Sequence, residues 1–469
     1  MALVHRVLLI AVSEGSATIA GHLRSASERE VFSVLKAQLE KLQDGLALFE
    51  SPDLAPAVHW KPAANFPFHR WFRYREAFSP ALFDQFPTAS RRLDPFCGCG
   101  TTLLTSAHSG VAAFGIDINP LATFVTRVKS EVYQKEDAVR LEELWRESVS
   151  AIESTDPAPM PGYPLLLKLF LPGNMDMLLR LRTFVDQVPP GRVHDLLFLA
   201  WISILERCSN AFKEGNGLKY RNKRRAPGRY LTVPDEEWIP RYFGDDPSGF
   251  VLRAWADQCA MMAEDIYQAD YSHYAVPQVR TGSCLDPETL DFGTDFDLAV
   301  FSPPYANRFD YFEAFKIELW MGGFVTTRDD MLSLRSSGMR SNLAASPYHT
   351  SHGWEPLAPF VAAMDPSASS VRMGIGAALE GYFHDTRTLL AGLRPHLAES
   401  AKVAIVVGNS AYAKSIIATD VLVARIAQEE GYTVEAIKVA RHLHVSSQQR
   451  SSLGHLETFM RESVVILEK

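Results

Sequence analysis

The sequence predicts an α/β fold of the Rossmann-like, nucleotide-binding type, because a strand, a glycine turn, a helix, a strand and an acid follow in that order. Arg91–Leu93 form the first strand, which runs into the turn Asp94-Pro95-Phe96-Cys97-Gly98-Cys99-Gly100. Thr101–Ser109 continue as a helix, and the short apolar strand Val111–Ile116 leads into Asp117. This succession is typical of a parallel sheet whose first loop lies against a ligand.

The alternation of strands and helices returns in the second half of the chain, which indicates that the sheet is completed there. Gln278–Thr281 and Asp297–Phe301 are predicted strands, and the second runs into Ser302-Pro303-Pro304-Tyr305. The later predicted elements are a helix over Leu379–Leu397, a strand over Lys402–Val407, a helix from Asp420 and strands over Thr433–Val439 and Ser463–Leu467. Residues 325–373 have little periodicity and are predicted to form a mobile loop region.

Two further stretches are helical by their apolar spacing and flank or interrupt the sheet. Residues 28–50 predict an amphipathic helix ahead of it. Residues 130–270 contain the apolar periodic segments Leu165–Leu171, Met175–Val185 and His194–Cys208. We therefore divide the chain into an N-terminal helical extension (1–58), a first half of the α/β domain (59–129), a helix-rich insertion (130–270) and a second half of the α/β domain (271–469).

The composition is that of an ordinary folded protein, with 47% hydrophobic and 22% charged residues in 469. The apolar run Val7–Val12 is too short to span a membrane and lacks a small-residue cleavage pattern, so we expect a cytoplasmic protein without membrane partners. The five cysteines are odd in number and scattered, which argues against a disulfide framework. Cys97 and Cys99 lack a second pair with zinc spacing, and we expect no metal site.

Positive charge is concentrated in one stretch, although the net charge is -8. Phosphate contacts are mainly electrostatic, so a nucleic-acid-binding protein of this composition needs such a local cluster. The cluster consists of Lys213, Lys219, Arg221, Lys223, Arg224, Arg225 and Arg229, with Glu214 as its only acid. We predict a loop that contacts nucleic acid. A charge run is more often a solvated face, and this interpretation depends on the motifs elsewhere in the chain.

The glycine turn has features that separate two kinds of ligand. Gly98 and Gly100 allow close approach of the backbone, and Asp117 can bind ribose hydroxyls, as in a dinucleotide site. A dinucleotide site usually has a third glycine, whereas here Thr101-Thr102 follow the second. Asp94 before the turn would repel a pyrophosphate, but it suits an ammonium group such as that of a methionine moiety.

Ser302-Pro303-Pro304-Tyr305 has the chemistry needed to hold the exocyclic amine of a flat base. Such an amine is a poor nucleophile because its lone pair is delocalised into the ring. The Ser302 hydroxyl and the Pro303 carbonyl can accept its hydrogen bonds and favour a more tetrahedral nitrogen. The prolines fix the backbone and remove competing donors, and Tyr305 can stack on a base that has been flipped out of its helix.

Together these motifs resemble those of the amino-group DNA methyltransferases, which transfer a methyl group from S-adenosylmethionine to cytosine N4 or adenine N6. The resemblance lies in Asp94–Thr102, in Gly115–Pro120 and in the catalytic motif Ser302–Tyr305. Phe78-Ser79-Pro80 is similar to the segment that closes over the methionine end of the cofactor, and Arg461–Val465 to the last strand of the fold. The resemblance covers residues 59–125 and 277–469 and does not include the insertion.

The resemblance implies a seven-stranded methyltransferase sheet, with 59–129 as its cofactor-binding half, 271–469 as its catalytic half and 130–270 as a candidate module for DNA contact or target recognition. The residues that it assigns to the cofactor are Phe78, Asp94, Pro95, Phe96, Gly98, Gly100, Thr101, Asp117, Ile118 and Ser283. Ser302, Pro303, Pro304 and Tyr305 would hold the base, and Lys213, Lys219, Arg221, Lys223, Arg224 and Arg225 the DNA. Ser283 stands where the family usually has an aspartate against the adenine of the cofactor.

The initial Ser302 is more typical of cytosine-N4 enzymes than of adenine-N6 enzymes, and we therefore expect site-specific methylation of cytosine N4 in DNA. Adenine N6, an RNA base and a non-catalytic DNA-binding subunit stay open as alternatives. A carbon-5 cytosine enzyme would need a nucleophilic cysteine after proline, and no Pro-Cys dipeptide occurs. A restriction or phage-defence partner is compatible with this interpretation. The sequence leaves the recognition sequence, the biological setting and the oligomeric state open.

Overall fold

One large sheet organises the chain in the computed structural model, which describes residues 28–61, 65–74, 77–86, 88–214, 217–227, 229–307, 309–341, 353–443 and 453–469. The strands of the described residues, in chain order, are β1 (Leu48–Glu50), β2 (Arg91–Asp94), β3 (Ala112–Asp117), β4 (Ala211–Glu214), β5 (Gly217–Tyr220), β6 (Lys223–Ala226), β7 (Arg229–Thr232), β8 (Gln278–Thr281), β9 (Phe296–Phe301), β10 (Leu397–Gly408), β11 (Ser410–Tyr412), β12 (Ser415–Ile417), β13 (Thr433–His442) and β14 (Arg461–Glu468). Eight of them form the large sheet, and the others form three separate hairpins. The apolar run Val7–Val12 lies outside the described residues.

Seventeen α-helices of the described residues surround these strands. They are α1 (Glu28–Gln43), α2 (Thr101–His108), α3 (Pro120–Lys129), α4 (Lys135–Ala151), α5 (Leu166–Leu169), α6 (Pro172–Gln187), α7 (Arg192–Ile204), α8 (Asp235–Phe243), α9 (Pro247–Gln268), α10 (Pro287–Leu290), α11 (Tyr311–Ala314), α12 (Lys316–Met321), α13 (Arg328–Ser337), α14 (Ala358–Ala362), α15 (Ser369–Arg372), α16 (Ile375–Leu393) and α17 (Thr419–Glu429). None of the described helices is long and apolar enough to cross a membrane.

The main sheet has eight strands in the order β1-β13-β14-β10-β9-β2-β3-β8. Every neighbouring pair is parallel except those of β14, which is antiparallel to both β10 and β13. The Rossmann-like methyltransferase fold is thereby confirmed, with a sheet one strand wider than the predicted seven. The prediction of one helix over residues 28–50 is wrong at its end. Helix α1 ends at Gln43, and Leu48–Glu50 form the additional edge strand β1.

The central strands are buried on both faces, which is why they lack an alternating pattern of polar and apolar residues. In β9, Leu298, Ala299, Val300 and Phe301 are all at most 1% exposed. One face packs against α1, α16 and α17, where Leu35, Leu390 and Val421 are fully buried. Helices on both sides leave the loops at the carboxyl ends of the strands as the accessible edge of the sheet.

The insertion packs directly onto the first half of the sheet domain. Trp201 on α7 and Trp255 on α9 belong to the same apolar core as Leu121 and Val125 on α3. The buried Asp265 carboxylate on α9 accepts hydrogen bonds from the Phe68 amide (3.1 Å) and the Trp71 indole (2.8 Å), and it also pairs with Arg70. The segment before the glycine turn is therefore anchored by the insertion.

Two stretches differ from their prediction. The basic stretch 213–229, expected as a loop, belongs largely to the hairpins β4–β5 and β6–β7. Residues 325–373, expected as an irregular mobile region, include the helices α13, α14 and α15, while 342–352 lie outside the described residues. Helix α13 begins with a capping box between Thr327 and Asp330, a local signal that the periodicity argument missed.

Candidate functional site

The glycine turn lies between β2 and α2 and depends on two residues without a side chain. Gly98 and Gly100 have φ of +51° and +89°, in the left-handed region that favours glycine. A Cβ on Gly100 would lie 2.7 Å from Cγ2 of Thr126, and the Thr126 hydroxyl donates to the Gly98 carbonyl at 2.8 Å. Helix α3 therefore fixes the turn from behind.

Asp117 at the end of β3 closes the turn from the other side. Its carboxylate accepts hydrogen bonds from the amides of Gly98 (2.9 Å) and Asn119 (2.8 Å). Burial raises the pKa of Asp117 to about 6, although these two hydrogen bonds act in the opposite direction. The carboxylate is thereby oriented towards the space above the turn, where its remaining lone pairs can accept from a ligand.

Asp94 lies beneath the turn, only 1% exposed. It accepts a hydrogen bond from the Phe96 amide at 3.0 Å and another from the Thr102 hydroxyl. Burial, together with the charge of nearby Asp117, raises the pKa of Asp94 to about 7. In this structure Asp94 supports the turn and the first residues of α2.

A cavity above the turn, here called the loop cavity, brings the two sequence motifs together. The sequence-predicted residues on its wall are Pro95, Phe96, Gly98, Asp117, Ile118, Ser283, Ser302 and Pro304. The first five come from the turn and β3, whereas Ser302 and Pro304 follow β9. They meet because β9 pairs with β2 in parallel, so that both loops leave the same edge of the sheet.

The loop cavity also has walls outside the predicted set of cofactor and base residues: Tyr74, Asn119, Cys284, Tyr311, Phe312, Arg335, Gly338, Met339 and Ser341. Several come from α13 and the residues after it, in the region predicted as an irregular loop. Arg335 on α13 pairs with Asp310 (2.9 Å), and Arg340 pairs with the buried Asp385 on α16 (3.0 Å). Asp310 also caps α11. These ion pairs hold α13 over the cavity.

Two further cavities adjoin the loop cavity. The aromatic cavity is lined by Trp60, Phe72, Tyr74, Phe78, Cys99 and Thr101, among others. The tyrosine cavity is lined by His59, Trp60, Phe78, Ser302, Tyr305, Asn307, Phe309, Tyr311, Arg441 and Glu462, among others. Tyr74 is shared by the loop and aromatic cavities, and Phe78 by the aromatic and tyrosine cavities. Ser302 and Tyr311 lie on the wall between the loop and tyrosine cavities.

The residues after β9 are held by the neighbouring strands. The Ser302 hydroxyl donates to the carbonyl of Val406 on β10 at 3.2 Å. The Tyr305 hydroxyl donates to Glu462 on β14 at 2.8 Å, and burial raises the pKa of this phenol. The Tyr305 ring lies against Gly408, where a Cβ would come within 2.8 Å of the ring carbon Cε2. The ring therefore has one fixed position.

Not all of the basic residues face solvent. Lys213 is buried, and its ammonium pairs with Glu206 (3.1 Å) and with Glu318 on α12. Burial alone would lower the pKa of Lys213, but the two carboxylates outweigh it and raise that pKa. The Lys213 ammonium also lies over the Phe315 ring, 4.6 Å from its centroid. Lys213 therefore joins the insertion to the residues that follow the Ser-Pro-Pro-Tyr motif.

The other basic residues lie on the two hairpins, except Arg221, which lies between them. Arg221 donates to the carbonyls of Ser209 and Glu206 and stacks on Tyr242 at 3.9 Å, so its guanidinium is engaged within the insertion. Lys219 is exposed but pairs with Glu214 at 3.2 Å. The exposed ones on the hairpin β6–β7 are Lys223, Arg224, Arg225 and Arg229. The same hairpin carries a 61% exposed Tyr230 directly opposite Arg225.

The cysteines are buried free thiols, and burial raises the pKa of Cys97, Cys208, Cys259 and Cys284. Within the described residues, no group of three or more His, Cys, Asp or Glu side chains could hold a metal ion.

Comparisons with known proteins find relatives along most of the chain. Two proteins named Type II methyltransferase M.AvaI, from Nostoc sp. (strain PCC 7120 / SAG 25.82 / UTEX 2576) and from Anabaena variabilis, are each 25% identical over 496 residues of alignment and cover 94% of both chains. Type II methyltransferase M.BsoBI from Geobacillus stearothermophilus is 26% identical over 460 residues, with 88% of this chain and 87% of the relative covered.

No protein-family model matches the chain. A solved structure of the rRNA methyltransferase aviRa from Streptomyces viridochromogenes covers 92% of both chains at 12% identity, with a TM-score of 0.26.

Proposed function

We propose that this chain is an amino-group DNA methyltransferase that uses S-adenosylmethionine, and that it methylates the exocyclic N4 amine of cytosine at specific sites in DNA. Its similarity to Type II methyltransferases over most of the chain supports this proposal. One observation carries the proposal: Ser302 lies on the wall shared by the loop cavity and the tyrosine cavity. A methyl donor in the first and a base in the second would meet at this residue, as direct transfer between two bound molecules requires.

The polar groups on the wall of the loop cavity suit the cofactor. A ligand can lie directly against Gly98, since no Cβ covers the backbone there, and the Asp117 carboxylate has lone pairs for ribose hydroxyls. Phe96 and Ile118 offer apolar contacts for the adenine ring, and Ser283 a weak polar one. Phe78 and Thr101 in the aromatic cavity would border the methionine end. The chemistry that the cofactor supplies is an activated methyl group on a sulfonium sulfur.

The tyrosine cavity suits a flat base that presents its amine to Ser302. Because the Ser302 hydroxyl proton is directed at the Val406 carbonyl, the oxygen keeps lone pairs that can accept from the amine. The Pro303 carbonyl lies in a backbone without a competing donor and would accept the second amine hydrogen. The Tyr305 ring, fixed by Gly408 and Glu462, provides the stacking face.

The hairpin β6–β7 is the part of the insertion that suits the phosphate backbone of DNA. Lys223, Arg224, Arg225 and Arg229 are exposed on it without a carboxylate partner among the described residues. Its neighbour β4–β5 packs near the residues after the Ser-Pro-Pro-Tyr motif, since Lys213 on β4 pairs with Glu318 on α12. Lys213 itself is buried, so we exclude it from this surface.

The experiment that tests the proposal is methyl transfer from labelled S-adenosylmethionine to unmethylated genomic DNA, followed by digestion and nucleoside mass spectrometry. We expect N4-methylcytosine. N6-methyladenine would keep the enzyme and overturn the assignment of the base, and label on RNA alone would overturn DNA as the substrate. Label on neither would favour a non-catalytic DNA-binding subunit.

A matched pair of variants separates chemistry from binding. Ser302→Ala removes one acceptor for the amine, and we expect transfer to slow while the Kd for S-adenosylmethionine is unchanged. Asp117→Ala removes an acceptor in the loop cavity, and we expect that Kd to rise first. An unchanged transfer rate in Ser302→Ala would show that Ser302 is not the catalytic acceptor.

A further inference from the structure

The tyrosine cavity contains a charged pair whose role is not explained by binding an amine. Glu462 and Arg441 lie side by side on its wall, on the adjacent strands β14 and β13. Glu462 is only 5% exposed, while the Arg441 side chain is 35% exposed. A charged pair in a cavity for a neutral base is costly to desolvate, unless one member hydrogen-bonds to the base.

Both oxygens of the Glu462 carboxylate accept hydrogen bonds from the protein. One oxygen accepts from the Tyr305 hydroxyl at 2.8 Å, and the other accepts from Nε of Arg441 at 2.5 Å. Glu462 therefore orients two groups at once, the stacking ring and the guanidinium plane.

The guanidinium of Arg441 has donors to spare. Nε is used by Glu462, and the two terminal nitrogens make no hydrogen bond to the described residues. They present a planar fork of N–H donors, the geometry that matches two neighbouring acceptors. These donors border the same cavity as Ser302, which would accept from the amine.

Cytosine and adenine differ in what lies beside their exocyclic amine. In cytosine the next two positions on the Watson–Crick edge, N3 and O2, are both acceptors. In adenine the amine is followed by the acceptor N1 and then by a C–H group, which accepts nothing. An enzyme that reads a flipped base does so by hydrogen bonds to this edge.

We propose that Arg441 is a specificity-determining residue, whose guanidinium donates to N3 and O2 of the target cytosine while Ser302 holds its N4 amine. This inference rests on the proposed function and names the group that would select the base. Adenine in the same position would leave one of the two donors unpaired, which is the usual physical basis of strong discrimination.

The test compares Arg441→Met with wild type on unmethylated genomic DNA, with labelled S-adenosylmethionine and nucleoside mass spectrometry. We expect kcat/KM for DNA to fall about tenfold to a hundredfold in the variant, the range for loss of a bidentate base contact. The Kd for S-adenosylmethionine is expected to stay unchanged, which also demonstrates that the variant is folded. Lys438→Met is the matched control, because it removes one positive charge from the same strand, outside the tyrosine cavity.

A second substrate isolates the O2 contact. In DNA amplified with 2-thiocytosine, sulfur replaces O2 and accepts hydrogen bonds weakly. Wild type is expected to slow on this DNA, whereas Arg441→Met is expected to slow no further, because the same contact is already lost. Arg441→Lys keeps the charge but not the fork, and we expect it to restore only a small part of the activity.

The possible failures are distinguishable. If wild type forms N4-methylcytosine and Arg441→Met is as fast as Lys438→Met, the inference about Arg441 is overturned and the proposed function stands. Equal slowing of both enzymes on 2-thiocytosine DNA would likewise refute the contact with O2. If wild type forms no N4-methylcytosine, the proposed function fails, and the inference fails with it.

Discussion

Gly408→Ala should slow methyl transfer by displacing one aromatic ring. The Tyr305 ring lies directly over Gly408, and a Cβ at that position would stand 2.8 Å from Cε2 and 2.9 Å from Cδ2 of the ring. Ordinary van der Waals contact begins at 3.4 Å, so the ring must withdraw by about 0.6 Å. Because the Tyr305 hydroxyl is held by Glu462, the ring cannot withdraw without tilting.

The size of the effect follows from this displacement. A misplacement of about 1 Å in a reacting group can cost about a hundredfold in rate, so about 0.6 Å should cost roughly tenfold. That corresponds to about 1.4 kcal/mol in the activation free energy. The overpacked contact should also lower the free energy of unfolding by about 1–3 kcal/mol. Gly408 does not line the loop cavity, and the Kd for S-adenosylmethionine should therefore change less than about twofold.

The assay is single-turnover methyl transfer with enzyme in excess over DNA, combined with calorimetric titration of S-adenosylmethionine. Gly162→Ala is the matched control, because no atom lies within 4 Å of a Cβ at that position and its backbone is unstrained. A single-turnover rate equal to that of the control would refute the idea that the Tyr305 ring must occupy this position. A parallel loss of cofactor affinity would refute the separation of the two cavities.

Three further predictions concern the turn and the sheet. Affinity for S-adenosylmethionine should fall as the pH drops through about 6, since protonation removes the charge of the Asp117 carboxylate, and Asp117→Asn should flatten this part of a calorimetric pH profile. Gly100→Ala should raise the Kd for S-adenosylmethionine by about tenfold or more, because its Cβ would meet Thr126 at 2.7 Å in a left-handed backbone. Arg461→Met should lower the free energy of unfolding in urea by about 3–5 kcal/mol, because it leaves the buried Asp420 carboxylate without its partner at 2.7 Å.

Two of these predictions, those for Gly100 and Arg461, have a matched control in the chain. Gly217→Ala places a Cβ in open space and should leave the Kd unchanged. Arg140→Met breaks an exposed pair with Glu143 and should alter the free energy of unfolding by less than about 1 kcal/mol. An equal effect of Arg140→Met and Arg461→Met would contradict the role of burial. A pH profile with the same slope in Asp117→Asn would assign the titration to another group, such as Asp94.

The parts of the site that could be predicted from the sequence are those fixed by local backbone chemistry. Gly98, Gly100 and Asp117 are predicted by a short succession of strand, turn and helix. The structure places Gly98 and Asp117 on the wall of the loop cavity, while Gly100 lies behind the turn against Thr126. Ser302 and Tyr305 follow a strand that is apolar from Leu298 to Phe301, and this predicted that they lie at the same edge of the sheet.

The parts that could not be predicted depend on partners far away in the chain. Lys213 is one of several basic residues in a row, and only its pairing with Glu206 and Glu318 shows that it is buried. Arg441 and Glu462 enter the tyrosine cavity because β13 and β14 are neighbours, and no local pattern in either strand marks them. Whether a polar residue on a strand faces a cavity depends on which strands lie beside it in the assembled sheet.

The position of β14 has a consequence for how the protein is made. This strand lies between β10 and β13, and it is synthesised after every other strand of the sheet. Until it is inserted, the ribosome-bound chain exposes the edges of β10 and β13, which are templates for pairing with other chains. Glu462 arrives with the same strand, and without it Tyr305 and Arg441 lack their common anchor. Sheet closure and completion of the tyrosine cavity therefore depend on the same strand, and a chain without β14 has both exposed strand edges and an incomplete tyrosine cavity.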